Sequence, residues 1–128
     1  MTPGDLLAAA RELITRPDTA TAGVWPRTSA LLARQALEQA IRLLWEGHPG
    51  TASLASRPMR TQLICLPCYI DKATAAQVAY TWAALSSACH YHPYELTPTA
   101  AELTGWINDV DRLITQIEAS ARLPTHPT

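Results

Sequence analysis

The chain has no phenylalanine and a single lysine among its 128 residues, and its excess of either charge is slight, with a net charge of −1. Nine arginines and that lysine are scattered along the sequence rather than clustered. Tight, sequence-independent binding to DNA needs a basic face, so this distribution excludes it and leaves RNA contact to a local patch. No apolar run approaches the ~18 residues of a membrane span, because Arg, Glu, Asp or Pro interrupts each candidate. The N-terminus lacks a basic segment followed by an apolar core and a cleavage site, so no secretory signal is read there. Three cysteines are an odd number without a disulfide framework, and reduced thiols in the cytoplasm are the expectation.

What is present is apolar and helical in pattern. The composition is 48% hydrophobic and 16% charged, which disfavours disorder. A chain of this length is one domain and buries roughly two-thirds of the surface its unfolded form exposes. Thr2 with Pro3 and Asp5 reads as a helix start, and Leu6, Leu7, Ala10, Leu13 and Ile14 form the stripe of a helix to about Arg16. A second helix runs from near Pro26 to Gly47, with Ala30, Ala33, Leu37, Ala40, Ile41, Leu44 and Trp45 at helical spacing. A shorter helix is expected over 58–69, ended early or kinked by Pro67. Asp71 caps a long fourth helix that Pro93 ends. Thr99 and Glu102 form a capping-box pair for a last helix to about Ala121, carrying Leu103, Trp106, Ile107, Val110, Leu113, Ile114 and Ile117. No stretch reads as a strand. The expectation is an all-α antiparallel bundle of four long helices and one short one, a single domain over residues 1–122 with a flexible tail at 123–128.

The stretch "LLARQALEQAIRLLWE", a long helix near the end of the chain and a polar, His-containing helix end resemble the HEPN superfamily of small helical bundles. The resemblance covers residues 5–120 in architecture, with its local match in the second helix. Active members of that superfamily are metal-independent ribonucleases in which an Arg is followed by four to six residues and then a His, the pair sitting at a dimer interface. This chain departs from that pattern. Counting back from His90, the Arg would fall where Ala83, Ala84 and Leu85 stand; from His92, where Leu85, Ser86 and Ser87 stand. No Arg or Lys occurs between Lys72 and Arg112. The resemblance therefore implies an inactive or repurposed member.

The strip "SSACHYHPYEL" concentrates the side chains that could do chemistry. Cys65 and Cys68 are spaced C-x-x-C, and with Cys89, His90 and His92 they could supply a tetrahedral zinc site, though the spacing matches no known zinc module. Buried, unligated thiols are the plainer reading for Cys65 and Cys68. A redox dithiol would call for a strand-to-helix context that this sequence lacks. His90 or His92 could pair with Glu95 for acid–base work, but a helix C-terminus attracts a histidine in any case. Ser86 and Ser87 have no third group to complete a hydrolase triad. Trp25, Trp45, Trp82 and Trp106 are chiefly packing, and a cavity lined by Tyr80, Trp82, Trp106 and Tyr94 is the minority reading.

The functional expectation is a noncatalytic HEPN-like bundle that binds RNA or a protein partner at His90, Tyr91, His92, Tyr94 and Glu95. His90 is expected to face the bundle and His92 the solvent. No metal or cofactor is implied. A homodimer is expected through the alanine-rich fourth helix, whose Ala75, Ala76, Ala79, Ala83 and Ala84 allow close approach. The alternatives are a small-molecule binding or sequestering protein with its pocket inside the bundle, and a divergent His-dependent nuclease.

Overall fold

A computed structural model describes residues 1–15, 25–90 and 96–121. The fold is all-α: α1 (Pro3–Thr15), α2 (Trp25–Glu46), α3 (Met59–Cys65), α4 (Lys72–Cys89) and α5 (Ala100–Ala121), with 3-10 turns at Ala52–Ser56 and Leu66–Cys68. Among the described residues there is no strand.

The helix starts are set by side chains that satisfy orphan backbone donors. Thr2 N–H donates to Asp5 Oδ2 over 2.9 Å, and Asp5 N–H donates to Thr2 Oγ1 over 3.1 Å. Thr99 and Glu102 repeat this reciprocal pairing ahead of α5, both bonds at 3.1 Å. The Asp71 carboxylate accepts from Thr74 N–H over 3.0 Å at the head of α4.

Side-chain contacts between helices fix their directions. Ser29 Oγ donates to the Ala10 carbonyl and Gln39 Nε2 to the Met1 carbonyl, so α1 and α2 run antiparallel. Trp82 of α4 bonds Glu38 of α2, and Cys89, further along α4, lies beside Arg34, earlier in α2, so these two are also antiparallel. The last turn of α4 and the first turn of α5 border one cleft, which makes α5 antiparallel to α4. Arg11 ties α1 to α5 through Asn108 at 2.9 Å and Asp111 at 3.5 Å. The four long helices thus alternate up and down, and the segment between α2 and α4 closes one end.

The core is the expected stripes brought face to face. Leu37, Ile41 and Trp45 of α2 meet Leu103, Ile107, Val110, Leu113 and Ile117 of α5, all with at most 1% exposure. The alanines that permit close approach are chiefly those of α2, where Ala30, Ala33 and Ala36 are fully buried. In α4 only Ala75 and Ala88 are buried; Ala76 and Ala83 face solvent.

Pro67 ends the third helix early, as expected, whereas the end of the fourth helix departs from expectation. The third helix stops at Cys65 and continues as a 3-10 turn, because Pro67 has no N–H for the α-helical ladder. The fourth ends at Cys89 rather than near His92, with His90 already extended at φ −90° and ψ 142°. Its final turn carries Ser86, Ser87 and Cys89, poorer helix formers than the alanines before them.

Candidate functional site

A cleft of about 430 Å³ lies where the start of α2, the end of α4 and the start of α5 converge. Its chemistry comes from Arg27, Ser87, His90, Glu102 and Trp106, with Pro98 on the wall. Arg27 occupies the first turn of α2 and is exposed. His90 is the cap residue of α4; its backbone N–H donates to the Ser87 carbonyl over 3.2 Å. Glu102 belongs to the first turn of α5, and its Oε1 is engaged by the Thr99 N–H. Trp106 follows one turn later and is half-buried against the core. The cleft thus sets a guanidinium, an imidazole, a carboxylate and an indole face around one space. That combination can hold an anionic group and stack a flat one.

A second polar assembly runs along the α2–α4 seam. Trp82 Nε1 donates to Glu38 Oε2 over 3.0 Å, and Arg34 Nε lies 3.9 Å from the same oxygen. Cys89 lies on this face of α4, and burial pushes its thiol pKa up. The nearby Arg34 guanidinium opposes that rise and the Glu38 carboxylate adds to it.

Of the residues expected to form a site, the structure brings His90 and Trp106 together in the cleft. His90 is exposed, not turned into the bundle, because the chain leaves the helix at that residue. Trp82 stands in the seam, tied to Glu38, and Tyr80 is 70% exposed on the outer face of α4; neither lines the cleft. Tyr91, His92, Tyr94 and Glu95 lie outside the described residues. This cleft lies at one end of the bundle, bordered by helix ends.

The cysteines and histidine considered for zinc are divided between the two ends. Cys65 and Cys68 precede α4 and Cys89 ends it, and a helix of 18 residues is ~27 Å long. Among the described residues no group of three or more His, Cys, Asp or Glu could hold a metal ion. Cys68 is exposed and Cys65 half-exposed, so the expectation of buried thiols fails there. The turn at Pro67 lifts Cys68 off the core while Leu66 goes into it.

Arg27 is the cleft residue that reading along the sequence missed. No cation stands within a few positions of His90 in the sequence, whereas antiparallel packing of α2 on α4 supplies one from a distant part of the chain. Comparisons with protein-family models, with curated proteins and with solved structures gave no match.

Proposed function

We propose that this protein is a noncatalytic, HEPN-like helical bundle that self-associates and binds single-stranded RNA at the cleft between α2, α4 and α5. The observation that carries the reading is the presence of Arg27, His90 and Trp106 around one space. A guanidinium pairs with a phosphate, an indole face stacks a base, and an imidazole hydrogen-bonds a base edge or a ribose hydroxyl. With a net charge of −1 the protein exerts no long-range pull on a polyanion, so binding is local and modest.

Self-association is proposed through the outer face of α4. Lys72 is the one charged residue in that helix, yet Ala73, Ala76, Tyr80 and Ala83 are exposed. That uncharged stripe of small residues around one aromatic ring suits contact with a second copy of the chain.

A second reading is favoured by the size of the cleft. A volume of about 430 Å³ falls within the ~300–1,000 Å³ of small-molecule sites, so a nucleotide-sized anion could be the ligand itself. Fluorescence anisotropy with a labelled single-stranded RNA in EDTA separates these readings. Saturable binding, weakened by Arg27→Ala and accompanied by intact RNA on a gel, supports the proposal. Binding of a mononucleotide but not of RNA favours the small-molecule reading, and cleavage of the RNA in EDTA replaces the noncatalytic reading with the nuclease one. Absence of RNA binding at low salt removes the RNA assignment and leaves a protein partner.

A further inference from the structure

We propose that Cys65 and Cys68 form an accessible dithiol that closes to an intramolecular disulfide by exchange with a small-molecule disulfide. Cys65 is the last residue of α3, and Cys68 ends the 3-10 turn Leu66–Cys68. The backbone is helical through the junction, with Cys65 at φ −78°, ψ −24° and Leu66 at φ −55°, ψ −41°. Residues three apart on a helical backbone are surface neighbours, so positions 65 and 68 share one edge of the segment.

The turn is anchored on its opposite side. Leu66 is fully buried and Ile70 is 8% exposed, while the Leu66 carbonyl accepts from both Tyr69 N–H and Ile70 N–H. Pro67 fixes its own φ between the two cysteines. The core therefore holds the segment while Cys68 faces solvent and Cys65 is half-exposed. Helical neighbours three apart have Cβ atoms ~5–6 Å apart, and a disulfide needs ~4 Å, so closure asks the short turn to tighten by ~1–2 Å. Cys89 cannot compete, since it lies at the far end of α4.

The exposure difference orders the chemistry. The Cys68 thiolate attacks one sulfur of the small-molecule disulfide, forming a mixed disulfide and expelling one thiolate. The Cys65 thiolate then attacks the Cys68 sulfur, forming the internal bond and expelling the second thiolate. Two protein thiols are oxidised, one external disulfide is reduced to two thiols, and the two protons lost by the cysteines are taken up by the leaving thiolates or water. Tyr69 follows Cys68 directly and meets the Trp45 ring edge-on, centroids 5.3 Å apart at 82°. Closing the turn is therefore coupled to the packing of the most deeply buried indole.

The test is intact-mass spectrometry of the folded Cys89→Ala protein after incubation with oxidised glutathione and acid quenching. The expected product is lighter by two hydrogens, carries no glutathione and no alkylatable thiol, and reverts with dithiothreitol. A Cys65→Ser, Cys89→Ala protein should instead retain one glutathione on Cys68. A lasting mixed disulfide in the Cys89→Ala protein with Cys65 still alkylatable, or no reaction at all, overturns the proposal.

Discussion

The indole Nε1–H of Trp45 donates to Gln62 Oε1 over 3.0 Å, and both side chains are buried. Gln62 in turn donates through Nε2 to the Arg57 carbonyl at 2.7 Å, while Thr51 Oγ1 donates to the Trp45 carbonyl at 2.7 Å. This network pins the α2–α4 connection onto the closed end of the bundle. A polar residue on α3 is buried there because both its amide oxygen and its amide nitrogen have a hydrogen-bond partner. Gln62→Leu leaves the indole N–H unanswered in a dry site and should cost ~1–3 kcal/mol, read as a lower urea midpoint with unchanged slope.

The core stripe of α5 allows a harsher test. Ile107 has no solvent exposure and sits between α5 and its neighbours. Ile107→Asp would bury an unpaired carboxylate, and the expected result is loss of the helical far-UV circular dichroism signal. Ile107→Ala, which removes only volume, should retain the fold at a cost of ~2–5 kcal/mol.

Cys89 sets a pH dependence of definite sign. Burial raises its folded-state pKa above the ordinary 9.0, so the folded chain holds the proton more tightly than the unfolded one. The associated stability is fully present below 9.0 and is lost as pH rises through the raised folded value. Urea midpoints should therefore fall on going from about pH 8 to about pH 10, and less steeply for Cys89→Ala. An identical slope in the two proteins would contradict the burial of this thiol.

Self-association is tested at Tyr80, which is 70% exposed on the outer face of α4. Light scattering should report a mass above the 13.9 kDa of one chain for the native protein and close to it for Tyr80→Glu. The monomer fold should persist in that variant, since exposed positions tolerate charge.

How much of this was legible in the sequence depended on the range of the interaction. The helix starts at Thr2, Asp71 and Thr99 were readable because the capping side chains and the groups they satisfy lie within three residues. The α5 stripe was readable because Leu103 to Ile117 keep helical spacing. Helix α4 was readable as a helix but not as a set of faces. Its apolar residues are spread around the helix instead of forming one stripe, so nothing in its pattern distinguishes buried Val78 and Leu85 from exposed Tyr80. The cleft was half legible: His90 and Trp106 were singled out, but Arg27 reaches them only through the antiparallel pairing of α2 with α4. The environment of Cys68 likewise depends on a turn whose outer face shows only once Leu66 is seated in the core.

The proposed RNA site implies a salt dependence. One guanidinium on one phosphate predicts that the logarithm of the RNA affinity falls with the logarithm of salt with a slope of about −0.7. Arg27→Ala should flatten that slope toward zero, while His90→Ala, at an exposed cap position, should weaken binding with little change in stability. Anisotropy titrations at several salt concentrations check both.

The tryptophan indoles report most directly on where RNA binds. In ¹H–¹⁵N spectra, Trp106 reports on the cleft, whereas Trp45 and Trp82 are held away from it by Gln62 and Glu38. Titration with a single-stranded RNA oligonucleotide should shift the Trp106 indole signal together with the backbone amides of Arg27 and His90, and leave the Trp45 and Trp82 indole signals in place. Perturbation confined to α3 and the Trp45 signal, or no shift at Trp106 at saturating RNA, would contradict the assignment of the cleft as the binding site.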